Sequence, residues 1–207
     1  MAESSSESQG DGIEPVAVSL DGAVYAVAGY VEVDETFAPR KHETVDAHSF
    51  IAAMARLASG VVMVTTTVEG RPWGLTVSAC CSISVDPPLI LVSLNRRTES
   101  AKAIRTKRMF GVSVLRDDQR ELAQRGAAAG QPKFVDDFCQ PDPETPSPAI
   151  SRALYHLDCT VEGDHDAGTH ALLIGRVRRV IPGDLEDMDT PLLYFNRRFH
   201  QLGKAVS

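Results

Sequence analysis

Three extended runs joined by short breaks occupy Gly60 to Leu94, and they constrain the fold more than any other part of the chain. Gly60 to Thr67 is dense in Val and Thr, Glu69-Gly70-Arg71 is a tight-turn sequence, and Trp73 to Ser84 resumes strand character. β-Branched density on both sides of a glycine-bearing turn reads as a hairpin. Asp86-Pro87-Pro88 then precedes the apolar run Leu89 to Leu94. Because proline cannot donate to a sheet ladder, this pair belongs at a strand entry or edge. The middle run, Gly74 to Ser82, carries Thr and Ser where a plain core strand carries Val and Ile. Strand alternation puts Thr76 and Ser78 on one face and Leu75 and Val77 on the other. From the residues alone, that polar face is open between a ligand-bonding edge and the solvent-facing side of an antiparallel sheet, the second being the commoner use.

The flanking segments add strands and few helices. Asp46 is placed to cap a helix over Ala47 to Ser59, where Phe50, Met54, Leu57 and Ala58 recur at helical spacing. Gly60 ends it, and its single apolar face is expected to pack on a sheet. Past Leu94, Thr98 can cap a helix running through Ala101, Ala103, Ile104 and Arg105. Met109 to Leu115 reads as a strand, and Asp117-Asp118 as the cap of a short helix containing Leu122 and Ala123. Gly126 to Pro148, dense in Gly, Pro and Asp, is expected to be a long irregular loop of the lid or dimer-contact kind. β Structure returns at Leu154 to Glu162, at Ala171 to Val180 after the turn Asp166-Ala167-Gly168, and at Leu192 to Phe195. Six or more strands without regular strand-helix alternation favour a mainly β barrel over a doubly wound sheet.

Residues 1–44 read as an acidic, serine-rich tail to about Gly12, followed by a β extension at Val16 to Val18, Val24 to Val27 and Tyr30 to Val33. Residues 45–207 form the main domain. A formal charge of -7 argues against nucleic acid as a partner, since that binding rests on clustered Lys and Arg. No signal peptide is visible, and no apolar run approaches the ~20 residues of a membrane helix, so the expected compartment is the cytoplasm. Cys80, Cys81, Cys139 and Cys159 form no C-x-x-C pair or zinc spacing and read as reduced thiols.

Dinucleotide and phosphate-loop fingerprints are absent, as is a serine-hydrolase elbow. Ser93 to Ser100 can instead cradle a phosphate with hydroxyls, helix N-terminal amides and Arg96 or Arg97; a capped surface helix explains the same letters. Trp73 and His170, the latter five residues after His165, each read first as packing or turn residues.

Taken together, Phe50-x3-Met54-x2-Leu57-x2-Gly60-Val-Val-Met-Val-Thr-Thr, Gly74-Leu-Thr-Val-Ser, Ser82-x-Ser84-x-Asp86-Pro-Pro-Leu, Arg108-Met-Phe-Gly-Val-Ser-Val-Leu and Gly168-Thr-His170-x4-Gly175 resemble the flavin reductases that serve two-component flavin-dependent monooxygenases. The resemblance covers roughly Ala47 to Leu202. It implies a split β-barrel of the FMN-binding type, a homodimer, and flavin bound near the subunit interface. Pro72, Trp73, Gly74, Leu75, Thr76, Ser78 and Ala79 match the segment around the isoalloxazine and ribityl chain. Ser93, Leu94, Asn95, Glu99 and Ser100 match the segment around the phosphate, and Arg125-Gly126 a further flavin-contacting pair in which an aromatic often replaces the glycine. Gly168-Thr169-His170 matches the Gly-Asp-His of the nicotinamide site without its acid, which implies that His170 contacts the dinucleotide. Tyr194, Phe195, Asn196, Arg197 and Phe199 match the segment closing over the nicotinamide.

The function implied is hydride transfer from NADH or NADPH to FMN or FAD, the reduced flavin passing to a separate monooxygenase that acts on an aromatic compound. On that reading no acid-base residue is obligatory, and backbone amides with the Thr76 and Ser78 hydroxyls stabilise negative charge on the flavin. A pyridoxamine-phosphate-oxidase-type flavoprotein and a non-enzymatic flavin-binding electron carrier are the competing readings.

Overall fold

The computed structural model describes residues 17–20, 23–26, 45–140, 145–184 and 190–203. The chain divides into two compact units, Met1–Val45 and Asp46–Ser207. In the first, β1 (Ala17–Leu20) and β2 (Ala23–Ala26) form an antiparallel hairpin, matching two of the three short runs expected there. The serine-rich tail and the run Tyr30 to Val33 lie outside the described residues.

The second unit begins with α1 (Ala47–Met54), whose Asp46 cap accepts from the Ser49 amide at 2.9 Å as expected. Two expectations for this helix fail. It stops at Met54, where the amides of Arg56 and Leu57 close on the Ala53 and Met54 carbonyls instead of continuing the helix, and Ser59–Gly60 forms a short strand, β3. Its apolar face also covers no sheet: α1 has no buried residue. Phe50, Ile51, Met54 and Leu57 are about half exposed, so amphipathic spacing marks a sticky face without guaranteeing a partner inside the chain.

The remaining strands are β4 (Val62–Val68), β5 (Arg71–Val77), β6 (Cys80–Val85), β7 (Pro88–Asn95), β8 (Met109–Val114), β9 (Cys139–Gln140), β10 (Ala149–Ile150), β11 (Tyr155–Ala167), β12 (His170–Pro182), β13 (Leu193–Phe195) and β14 (Arg198–His200). Helix α2 spans Glu99–Lys107 and α3 spans Arg120–Ala127. Seven strands form one antiparallel sheet in the order β5-β4-β8-β11-β12-β7-β6, and a smaller sheet runs β14-β13-β3. The Glu69-Gly70 turn joins β4 to β5 with both φ angles positive, 53° and 76°, which suits a tight two-residue hairpin.

Alternation along β4 shows how the layers are made. Val62 and Val64 point into a core shared with Val77, Val92, Leu94, Phe110, Val112, Cys159 and Leu173. Val61 and Met63 point the other way, into a second core with Leu122, Ala123, Val135 and Leu192. Cys80 of β6 and Val77 of β5, from opposite ends of the seven-stranded sheet, pack on the same first core. A flat sheet cannot bring its outer strands into one interior, so the sheet curls into a barrel. The second core is roofed by α3, by Val135, Phe138, Cys139, Ile150 and Ala153, and by Tyr194 and Phe199 of the C-terminal hairpin.

Helix α2 matches expectation, Thr98 accepting from the Ala101 amide at 3.2 Å. The Asp117-Asp118 cap does not form. Those residues make a single turn of 3-10 helix before α3, and Gln119 supplies the closing contact by accepting from the Arg116 amide at 3.0 Å. Asp117 accepts from Thr190 instead, at 2.8 Å. Part of the expected irregular loop is ordered: Gly74 donates to the Lys133 carbonyl at 2.9 Å and Val135 to the Pro72 carbonyl at 3.1 Å, so residues 133–135 cover the outer edge of β5.

Candidate functional site

Strand β5 links three clefts. Where it ends, Ser78 and Ala79 face the exposed side of α1 across a cleft of about 490 Å³, walled by Phe50, Ile51 and Met54. A second cleft of about 440 Å³ adjoins it, with Thr76 and Ser78 opposite Gln124 and Ala127 of α3. Ser78, Tyr194 and Arg197 line both. The last two come from the β13–β14 hairpin, which is anchored by Leu193 and Tyr194 pairing with Gly60 and Ser59. Its turn residues Asn196 and Arg197 adopt φ of 49° and 61°, and the Asn196 amide donates to the Ala55 carbonyl at 2.7 Å. The hairpin thereby holds Tyr194 and Arg197 over the end of β5.

Three residues back along β5, roughly 10 Å at the ordinary strand rise, Trp73 borders a third cleft of about 460 Å³. Asn95, Glu99 and Ser100 line it from one side and Lys133 from the other. Here the chemistry is anion-seeking. Ser100 is fully buried and its hydroxyl has no hydrogen-bond partner among the described residues, an arrangement that buried polar groups avoid unless a ligand completes it. Thr98 takes only the Ala101 amide, and helix geometry leaves those of Glu99 and Ser100 without intrahelical acceptors. Lys133 is 8% exposed, donates to the Ala128 carbonyl, and has no carboxylate partner among the described residues. Burial pushes its pKa down. Ala128 lines the second cleft, so the Lys133 contact joins the second and third.

The structure sorts the expected site residues into groups. Thr76, Ser78, Ala79, Tyr194, Arg197 and Phe199 meet at the first two clefts, and Trp73, Asn95, Glu99 and Ser100 at the third. Leu75 and Leu94 instead turn their side chains into the first core, and Gly74 is buried against Met63. Ser93 is half-buried, its amide donating to the Ala79 carbonyl at 3.0 Å. Pro72 faces a separate groove beside Asp136 and Cys139. Arg125 lies over the Phe138 ring, 4.9 Å from its centroid, and Phe195 packs edge-on to His200. His170 lines none of the three clefts; it pairs with Asn95 across β12 and β7, which places it at the rim of the third.

Neither open reading of the β5 polar face describes Thr76 fully. Its hydroxyl donates to the Ala123 carbonyl at 2.8 Å and so docks α3. Gly126 makes this docking possible, since a Cβ there would lie 2.3 Å from the Thr76 hydroxyl oxygen. The Ser78 hydroxyl, just past the strand end, is exposed and has no partner among the described residues. Glu99 turns its carboxylate to Lys102 at 2.7 Å, leaving its amide as its contribution to the third cleft. Trp73 is edge-on to Phe134, centroids 4.8 Å apart, and Arg71 lies over the Phe134 ring while pairing with Asp136.

Sequence reading missed Lys133. The signal was present only weakly, as a lone lysine between Pro132 and Phe134 in a loop where a charge normally faces water. Burial raises the thiol pKa to about 11 for Cys80 and about 12 for Cys139 and Cys159, so these three stay protonated at neutral pH.

Residues 54–203 match the family model described as "Flavin reductase like domain". The chain is 37% identical over 157 residues to a flavin reductase (NADH) of Kitasatospora aureofaciens, covering 75% of this chain and 81% of that one. It is 34% identical over 157 residues to the reductase component of a 4-nitrophenol 4-monooxygenase/4-nitrocatechol 2-monooxygenase of Rhodococcus opacus, covering 76% and 82%. Among solved structures it is similar to the flavin reductase PheA2, with a TM-score of 0.68 and 32% identity over 77% of this chain and all (100%) of that one. With the curled antiparallel sheet and the three linked clefts, these similarities place the chain in the flavin reductase like domain family.

Proposed function

We infer that this chain is a NAD(P)H-dependent flavin reductase: it takes up FMN or FAD and NADH or NADPH, promotes hydride transfer between them, and releases reduced flavin to a separate flavin-dependent monooxygenase. The observation that carries the reading is the third cleft. Among the described residues, a buried hydroxyl without a partner, two helix amides without intrahelical acceptors and a buried ammonium without a carboxylate partner converge there, and β5 connects them to the clefts lined by Ser78, Tyr194 and Arg197. That donor set fits the phosphate of a flavin nucleotide, and the adjoining clefts fit its larger, flatter portion. The bound flavin supplies the hydride acceptor.

This chain's own residues bind, orient and exclude water. Lys133, Ser100 and the first turn of α2 hold the phosphate end. Ser78, just past the end of β5, donates to the oxygen-rich edge of the ring system; Thr76 contributes by fixing α3 opposite it. Tyr194 and Arg197 cover the ring from the hairpin. His170 contacts the dinucleotide, its Nδ1 held 2.9 Å from the Thr169 hydroxyl, which stands where the family's acid would be. No side chain among these needs to transfer a proton, because the chemistry is a hydride step aided by close placement.

The assembly we propose is a homodimer. Phe50, Ile51 and Met54 of α1 and Leu57 in the turn after it are 57, 50, 47 and 59% exposed, and all four wall the first cleft. A second copy seated there covers an apolar patch and closes the site from outside. A partner oxygenase acting on an aromatic compound follows the precedent of the Rhodococcus opacus relative. Among the described residues no helix is long and apolar enough to cross a membrane. We place the reaction in the cytoplasm, where reduced nicotinamide is supplied.

The test is a steady-state comparison of purified protein with each pairing of FMN or FAD and NADH or NADPH. Nicotinamide oxidation that rises with added flavin supports the reading. Tight flavin binding without dinucleotide turnover contradicts it.

A further inference from the structure

Beyond Thr160, β11 loses its partner β8, whose last pairing is Met109 with Thr160. The tip of the β11–β12 hairpin therefore has a strand neighbour on only one side of β11, although it carries His170. On its β12 side the β7 ladder, which begins at the His170–Asn95 pair and runs to Arg176–Leu89, holds it, and the Arg96 amide extends that hold by donating to the Thr169 carbonyl at 3.1 Å. On the open side stands α2. Arg105 places Nε and Nη2 at 3.1 and 2.8 Å from one Asp164 carboxylate oxygen, and Nη2 also reaches Asp166. Arg96 approaches the other Asp166 oxygen at 3.5 Å, and Arg108 the other Asp164 oxygen at 3.9 Å. Three arginines from the β7–α2–β8 stretch thus converge on two aspartates of the tip, and Arg105 is the one that touches both.

We propose that Arg105, through Asp164 and Asp166, is a positioning residue that sets His170 against the Asn95 to Ser100 turn, and so governs docking of the dinucleotide. This rests on the reading of His170 given above. Ion pairs near the surface contribute little to overall stability. A rigid planar fork on two carboxylates instead supplies geometry. Only Ala167, Gly168 and Thr169 separate Asp166 from His170, so a tip released from α2 moves the imidazole directly.

The experiment compares wild type with Arg105→Ala, the milder Asp166→Asn, the double variant and His170→Ala. Kinetics use NADH at saturating FMN, with FMN affinity and thermal melting measured in parallel. For Arg105→Ala the KM for NADH should rise about tenfold, with kcat within about twofold and FMN affinity unchanged, as expected for loss of a docking geometry alone. Asp166→Asn should act in the same direction, and the double variant should be close to Arg105→Ala, since the Arg105 contact that Asp166→Asn weakens is already gone in Arg105→Ala and only the longer Arg96 approach is lost besides. Should Arg105→Ala lower the melting temperature with KM for NADH unmoved, or weaken FMN and NADH equally, the proposal is wrong. If His170→Ala raises KM and both clamp variants do not, only the clamp fails. If His170→Ala is also silent, the reading of His170 fails with it.

Discussion

Replacing Lys133 with methionine separates recognition of the flavin phosphate from recognition of the ring. Among the described residues the ammonium is buried with one carbonyl partner and no carboxylate, so the side chain is held at a desolvation cost that an anion in the third cleft would offset. A hydrogen bond to a charged group contributes about 1.5–3 kcal/mol, which is roughly a ten- to hundredfold change in affinity. Lys133→Met should therefore weaken FMN by about that factor while leaving riboflavin, which lacks the phosphate, within about twofold. Methionine fills similar apolar volume and removes a buried charge, so the unliganded protein should melt no lower than wild type. The assay is flavin fluorescence quenching titrated with each ligand, beside a melting curve. An equal loss for FMN and riboflavin, or no loss for FMN, refutes the assignment of Lys133 to the phosphate.

Other perturbations test separate joints of the account. Gly126→Ala forces a Cβ to within 2.3 Å of the Thr76 hydroxyl and 2.9 Å of its backbone nitrogen, so α3 must shift; a loss of about 1–3 kcal/mol is expected in chemical denaturation, and wild-type stability would contradict the packing. Met54→Glu puts a charge in the exposed apolar face of α1 without disturbing a buried contact, and it should yield a folded monomer by light scattering if that face holds a second copy. The Asp166 carboxyl is held below its ordinary pKa of 3.8, first by its hydrogen bond from Arg105. A depressed carboxylate contributes above its unfolded value and loses that contribution as pH falls through the folded value. The clamp should thus leave the KM for NADH flat on the alkaline side of that window, and Asp166→Asn should abolish any rise seen on acidification below it.

Much of the barrel was legible because its strands carry strong local signals. Val and Thr density marked β4, Glu69-Gly70 marked its turn, and Thr98 marked the start of α2. The two-residue period also placed Leu75 and Val77 in the core correctly. Carrying whole motif segments over as binding residues overrode that same period: Leu94 sits in a matched segment, yet its side chain faces the core. The face of α1 was misassigned because spacing reports which residues share a side, never what lies opposite. Strand β14 went unexpected because its turn requires positive φ at Arg197, a residue with no preference for it. Lys133 was invisible because its burial depends on residues 133–135 pairing along β5, a contact between segments about sixty positions apart.

The central claim is that electrons pass from reduced nicotinamide to flavin on this chain. Under anaerobic conditions, with substoichiometric protein, NADH or NADPH absorbance and oxidised-flavin absorbance should fall together in equal molar amounts. Bleaching should continue well past one flavin per protein, since reduced flavin leaves. Binding of flavin with no loss of either absorbance would contradict the account.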